Sequence, residues 1–287
     1  MPELKIEADA AEVGMDEARL RRLGTHFRRY VDDGRLPGWL MLVARQGKVV
    51  FLETYGQRDL EAGLPVELDT VFRIYSMTKP ITTVAAMMLW EEGGFELKDP
   101  VHRFIPSFQD TRVWRTGSIN NFTTDAQRDP IAVWNLMSHT SGLTYGFLHA
   151  HPIDELYRRA GFEWGVPPDA DLAELCDTFA SFPLLFQPGT EWNYSVATDV
   201  LGRVVEVVSG QSLDDFMRAR IFEPLGMTDT GFWATDDKRD RLAALYAPNP
   251  ADRKALRFDE LGEVAHSRPS AWLGGGGLVS TAHDYYR

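Results

Sequence analysis

Residues 72–90, Phe-Arg-Ile-Tyr-Ser-Met-Thr-Lys-Pro-Ile-Thr-Thr-Val-Ala-Ala-Met-Met-Leu-Trp, constrain the fold more than any other stretch of the chain. From Thr82 to Trp90 the run is so apolar that a helix built from it must be largely buried, with other elements packed around it. That helix begins near Ser76, and residues three apart share a helical face, so Ser76 and Lys79 meet in its first turn. A hydroxyl beside an amine is a nucleophile beside a base. Burial and the positive end of the helix dipole both favour the neutral amine, which is a competent base. The same pair also reads as a capping serine followed by a solvated lysine, and the local sequence leaves both readings open.

Enough apolar material exists to enclose such a helix: 44% of the 287 residues are hydrophobic, which allows one large domain or two closely packed lobes. The net charge of -12 argues against a nucleic-acid partner, because phosphate binding requires clustered Lys and Arg. Cys176 is the sole cysteine, so neither an intrachain disulfide nor a cysteine-built zinc site can form. Its setting, Leu172 to Cys176, reads as a helix face, with the thiol as buried packing. The opening Met-Pro-Glu-Leu-Lys-Ile-Glu-Ala-Asp lacks a basic segment followed by an apolar core, and no apolar run reaches membrane-spanning length. A cytoplasmic protein with no membrane partner is expected.

In chain order, Met15 to Val31 carries Leu20, Leu23, Phe27, Tyr30 and Val31 at helical spacing, an amphipathic helix to cover one face of a sheet. The sheet opens with a hairpin: Gly38 to Ala44, a turn at Arg45 to Lys48, and Val49 to Tyr55. Gly56 to Asp69 reads as a polar loop, and Val71 to Ile74 as a short strand entering the Ser76 turn. Segment 1–99 is thus the helix, hairpin and nucleophile helix of an α/β domain. Segment 100–185, rich in Pro, Gly, Asn and Trp between short helical patterns, reads as a mainly helical lobe with long loops. Segment 186–287 returns towards the first domain. It contains the clearest helix, Val196 to Ser209, stopped by Gly210, then a helix opened by Ser212 with Asp215, and finally a strand at Leu278 to Thr281 followed by a new helix start at Ala282.

Other chemistries are excluded directly. No serine has Gly at both -2 and +2, so the nucleophile elbow is missing, and only Ser76 has lysine three residues later. There is no His-Glu-x-x-His, no phosphate loop and no dinucleotide fingerprint, since Gly274 to Gly277 lacks the last spaced glycine. His149, His151, Asp154 and Glu155 lie close together, but on a loop beside Pro152 they read as surface residues rather than a metal site. No metal or cofactor is expected.

Five stretches in order resemble the serine β-lactamase and penicillin-binding-protein superfamily, nearest to its family VIII carboxylesterases, which are similar in fold to class C β-lactamases. They are Phe72 to Lys79, Leu136 to Leu143, Pro188 to Ser195, Phe222 to Met227, and Gly274 to Thr281. The resemblance implies an α+β fold of the β-lactamase/transpeptidase-like type: an antiparallel sheet flanked by helices, a mainly helical lobe, and the site in the groove between them. It implies Ser76 as acylated nucleophile, Lys79 assisting its deprotonation, and Tyr194 as the general base of the second motif. The Ser76 N–H would supply half of an oxyanion hole. His139 belongs to what is mostly a structural turn in this superfamily. Tyr75 and Tyr145 would line the acyl pocket.

Two departures from the pattern bear on function. The β-lactamase second motif is commonly Tyr-x-Asn, and Val196 takes the third place, which favours simple esters over β-lactams or peptides. The late Lys-Thr-Gly or its counterpart does not follow the glycine run, and Arg115-Thr116-Gly117 stands in the wrong order. The closing helix, about three C-terminal strands, the third-motif residue and the second oxyanion donor are therefore expected beyond Arg287. The expected activity is hydrolysis of short-chain carboxylic esters, the partner a small-molecule ester, and the oligomeric state is open. The alternatives are a β-lactamase or D-alanyl-D-alanine carboxypeptidase-like acyl transferase, or a catalytically silent binding protein of the same fold.

Overall fold

The computed structural model describes residues 4–287, so Met1 to Glu3 of the stretch read for a leader lie outside the described residues. The elements begin with α1 (Glu17–Asp32), β1 (Gly38–Arg45), β2 (Lys48–Asp59), β3 (Leu64–Pro65), β4 (Phe72–Arg73) and α2 (Thr78–Glu91). Next come β5 (Arg112–Ser118), β6 (Asn121–Ala126), α3 (Val133–Met137), α4 (Pro152–Arg159), α5 (Leu172–Ser181), α6 (Ala197–Ser209) and α7 (Leu213–Met217). The chain closes with α8 (Glu223–Leu225), β7 (Tyr246–Pro248), β8 (Ala255–Arg257), α9 (Asp259–Gly262), β9 (Val279–Ser280) and α10 (Ala282–Tyr286). They fall into two compact units.

The first unit takes the chain up to Arg73, then Gly226–Ser267 and Val279–Arg287. Its antiparallel sheet runs β1-β2-β3, with Leu42 opposite Leu52 and a bulge between Val43 and Ala44. The stretch read as a polar loop after Tyr55 instead continues β2 to Asp59 and adds β3, so the expected two-stranded hairpin is three-stranded. Leu20 of α1 packs with Ala10, Val13 and Val50, joined by Leu23, Val43 and Phe51. Asp16 caps α1 by accepting the Arg19 N–H at 3.1 Å. β4 pairs with β9, Phe72 opposite Ser280 and Arg73 opposite Val279, over a core of Val71, Ala234, Leu242 and Val279.

The second unit comprises Ile74–Leu225 and Arg268–Leu278. α2 and α6 pack against each other at its centre. Ile81, Ala85, Ala86 and Leu89 of α2 are buried, as are Ala197, Val200, Leu201, Val204 and Val205 of α6. The 3.6-residue period places these side chains on one stripe of each helix. Cys176 is fully buried in α5 with Leu172, Leu175 and Phe179.

The segment read as helical with loops also holds the hairpin β5–β6. Of β5 only Val113 is buried, so the two-residue alternation that announces a strand is absent. Besides β6, a partner remote in sequence holds β5: Trp114 N–H donates to the Leu184 carbonyl at 2.8 Å, and Leu184 N–H to the Arg112 carbonyl at 2.7 Å. Of residues 149–155, His149 and Ala150 are exposed on a loop as read, but the loop ends there. Pro152–Arg159 is α4, and Asp154 within it is fully buried. Among the described residues no helix is long and apolar enough to cross a membrane.

Candidate active site

The approach to Ser76 is conformationally unusual. Tyr75 has φ 42°, in the left-handed region that a bulky residue rarely adopts, as the first residue of the short 3-10 turn Tyr75–Met77 that opens onto α2. Such strain persists only where surrounding contacts enforce it. Here Ile74 N–H donates to the Leu278 carbonyl at 3.0 Å, Leu278 N–H to Thr78 Oγ1 at 3.2 Å, and Thr82 Oγ1 to the Gly274 carbonyl at 2.8 Å. The glycine-rich segment is thereby fastened along the first two turns of α2. Ser76 stays exposed, while Lys79 is half-buried.

Tyr194 arrives from a different part of the second unit. Asn193 N–H donates to the His139 carbonyl at 2.9 Å, and its side-chain amide to the Leu143 carbonyl at 3.1 Å, which fixes the backbone just before Tyr194. Its hydroxyl then lies 2.5 Å from Ser76 Oγ. Lys79 Nζ donates to Ser76 Oγ at 3.2 Å and to the Gly275 carbonyl at 2.6 Å, and it sits 4.6 Å from the centre of the Tyr194 ring. The three residues named from sequence therefore meet at one point, although Tyr194 lies 118 positions from Ser76.

The remaining expected residues divide. Tyr145 reaches the site: its ring centre is 5.2 Å from that of Tyr194 and 5.5 Å from Lys79 Nζ. Burial, with Asp199 and Tyr194 nearby, pushes its phenol well above the usual value, so it stays neutral and apolar in character. Tyr75 is exposed beside Ser76. Val196 is buried at the start of α6, its N–H donating to the Thr144 carbonyl at 3.3 Å, and so offers no surface to a substrate.

Four further contributors stand around the site: Asp199 and Ser195, to which the sequence reading gave no role, Asp154, which it placed on the surface, and His139, which it placed in a structural turn. Asp199, buried in α6, accepts the Gly275 N–H at 2.7 Å, so the Gly275 residue is held at its nitrogen by Asp199 and at its oxygen by Lys79. Only glycine fits there, since a Cβ would stand 2.6 Å from Asp199 Oδ2. Burial raises the Asp199 carboxyl to about 6, opposed by the Gly275 N–H bond and the Lys79 charge. A lone acid on the apolar stripe of α6 was the available signal. Asp154 is the second: it accepts from Thr144 Oγ1 at 2.8 Å and from the N–H groups of Ala150 and His151 at 2.8 and 2.9 Å, closing the loop that carries Tyr145. No cluster of three or more metal-binding side chains occurs among the described residues, and His149 instead pairs with Glu163 at 3.3 Å.

His139 and Ser195 are the other two. His139 has φ 56°, its Nδ1 is 3.2 Å from Ser195 Oγ, and its ring packs 4.9 Å from Tyr194. Burial and the charge of Lys79 lower its pKa to about 4, so it is neutral at pH 7. Chemically, the cluster provides an exposed hydroxyl between a phenol and an amine, with no histidine or carboxylate among the described residues bonded to it. Such an arrangement can serve to move a serine proton through a neighbouring phenol and amine.

Comparison with known proteins places the chain in a family. A family model described as beta-lactamase matches residues 23–287. Protein Rv1367c of Mycobacterium tuberculosis is 40% identical over 261 residues, covering 91% of this chain and 63% of that protein. Esterase EstB of Burkholderia gladioli is 36% identical over 233 residues, 80% of this chain and 56% of EstB. The chain thus spans about three fifths of the length of these curated relatives. Among solved structures, EstCE1, described as a hydrolase with promiscuous acyltransferase activity, superposes with a TM-score of 0.77 at 30% identity, covering 92% of this chain and 70% of EstCE1. With a β-lactamase/transpeptidase-like fold of helices and antiparallel sheets, and a family match over nearly its whole length, this chain belongs to the beta-lactamase family.

Proposed function

We propose that the protein is a serine carboxylesterase of the family VIII kind that hydrolyses short-chain esters through an acyl-enzyme on Ser76. The observation that carries this reading is the bonding of one hydroxyl, Ser76 Oγ, to Tyr194 at 2.5 Å and to Lys79 at 3.2 Å. Similarity to Esterase EstB supports the ester over other acyl substrates.

In the first half-reaction Ser76 Oγ attacks the ester carbonyl carbon while its proton passes to Tyr194, which enters the step as phenolate beside the Lys79 ammonium. The tetrahedral oxyanion is met by the Ser76 N–H. Collapse breaks the bond to the alkoxy oxygen, Tyr194 returns the proton to it, and the alcohol leaves. In the second half-reaction water attacks the acyl carbon, giving its proton to Tyr194. The bond to Ser76 Oγ breaks, the proton returns to the serine, and the carboxylic acid departs. An alcohol in place of water would produce a new ester, a second reading favoured by the similarity to EstCE1.

The test is intact-mass spectrometry of the full-length protein after a fluorophosphonate probe, beside turnover of p-nitrophenyl butyrate. One adduct located at Ser76, lost in Ser76→Ala together with turnover, is the expected result. An unlabelled Ser76 in protein that is folded would overturn the reading. Formation of methyl butyrate when methanol is added tests the transfer branch.

A further inference from the structure

The rings around Tyr194 continue beyond it. Phe147 stacks on Tyr145 at 4.7 Å and 23°, and Trp164 stacks on Phe147 at 5.6 Å and 9°. With the 5.2 Å contact between Tyr145 and Tyr194, four rings form an unbroken run from the hydroxyl bonded to Ser76 out to an indole that is 62% exposed. The outermost ring is held where it is. Phe162 anchors the chain on one side of it, packed 4.8 Å from Phe179, and Glu163 pairs with His149 at 3.3 Å, on the loop that carries Tyr145 and Phe147. The loop itself is closed by the buried Asp154.

We propose that Tyr145, Phe147 and Trp164 form a track that binds a flat apolar group of the ester, an aryl or fused-ring portion of its acyl or alcohol part. The inference rests on the esterase reading for its substrate class. Aromatic faces prefer offset stacking at centroid distances of about 4.5–7 Å, and each such pair adds to what area burial alone provides. Tyr145, Phe147 and Trp164 already use faces on one another, so a planar ligand laid alongside the run meets their edges, in the edge-to-face arrangement, from the nucleophile to Trp164. A small aliphatic ester can touch only its inner end. Leaving a large indole in water while one face is committed to Phe147 is otherwise unfavourable, since burying such a ring removes about 150–250 Å² from water. A second exposed indole, Trp192, meets His139 in a T-shaped contact, at 6.3 Å and 76°, and lies outside the stacked run.

The experiment compares kcat/KM of the full-length protein for methyl 2-naphthoate and for 2-naphthyl acetate, each divided by kcat/KM for ethyl acetate. In Trp164→Ala at least one ratio should fall roughly fivefold to tenfold, chiefly through KM, and Trp164→Phe should recover most of it. The naphthoate ratio assigns the track to the acyl part, and the naphthyl acetate ratio to the alcohol part. Trp192→Ala serves as control. Unchanged ratios in Trp164→Ala, or an equal fall in Trp192→Ala, would overturn the proposal. Equilibrium binding of methyl 2-naphthoate to Ser76→Ala and to Ser76→Ala with Trp164→Ala separates this from the esterase reading. If no ester is turned over, the activity is lost as an idea, yet a roughly fivefold weaker affinity of the double variant still supports the track and equal affinity removes it.

Discussion

Asp199 and Lys79 grip opposite ends of one residue: Asp199 Oδ1 accepts the Gly275 N–H at 2.7 Å, and Lys79 Nζ donates to the Gly275 carbonyl at 2.6 Å. The glycine passes the position of a buried carboxylate on α6 to an amine on α2, and that amine also contacts the nucleophile.

Replacing this carboxylate separates its charge from its hydrogen bond. Asp199→Asn keeps an oxygen for the Gly275 N–H, whereas Asp199→Ala leaves a buried donor unpaired at about 1–3 kcal/mol. With the amine's partner displaced as well, kcat for p-nitrophenyl butyrate should fall about tenfold further in Asp199→Ala than in Asp199→Asn. Equal kcat values in the two variants would remove Asp199 from the positioning of Lys79.

Stability should also depend on pH through Asp199. Its pKa rises from 3.8 to about 6 on folding, so the fold binds the proton more tightly than the unfolded chain does. The associated stability is complete below 3.8 and is lost as pH rises through about 6. Between pH 4.5 and 7.5 that loss amounts to about 2 kcal/mol, and it should be absent from Asp199→Asn. Urea unfolding of both proteins at the two pH values measures it.

Tyr194→Phe removes the hydroxyl beside Ser76 but leaves the ring packed against Tyr145 and His139. Loss of a general base lowers kcat by about 10²–10⁴ with little change in thermal midpoint. A variant within twofold of wild type would assign the proton to Lys79 alone.

His139 is neutral at pH 7, its pKa being lowered to about 4 by burial and by Lys79. Its contribution to stability is present above 6.5 and is lost as pH falls through 4. The pH–rate profile should accordingly show no break near 6.5 that disappears in His139→Asn. Asn also suits the φ of 56°, while His139→Val should destabilise by about 1–3 kcal/mol in urea unfolding.

Asp154→Ala removes the acceptor for Thr144, Ala150 and His151 in a fully buried position. Three unpaired donors predict a loss of about 3 kcal/mol or more, with a raised KM because the loop bearing Tyr145 loosens. Circular dichroism melts and Michaelis curves check the two effects, and an unchanged melt would show that the loop closes without it.

The sequence by itself determined what short-range periodicity encodes. Ser76 and Lys79 meet because i and i+3 share a helical face, and α1, the β1–β2 turn and α6 follow from the spacing of Leu20 and Leu23, of Gly38 to Tyr55, and of Val200 to Val205. Tyr194 could be named only through its resemblance to a known motif, since nothing local ties it to Ser76. Tertiary structure decided that their hydroxyls touch, that Asp199 closes on Gly275 across 76 positions, and that Asp154 is buried rather than on a surface loop. It also decided that β5 is a strand, because its partners include Leu184 while its own residues show no apolar alternation. Side-chain pattern records which face of an element is apolar. Which remote groups satisfy its polar atoms is settled only when the chain is packed, and there the composition of the candidate site was decided.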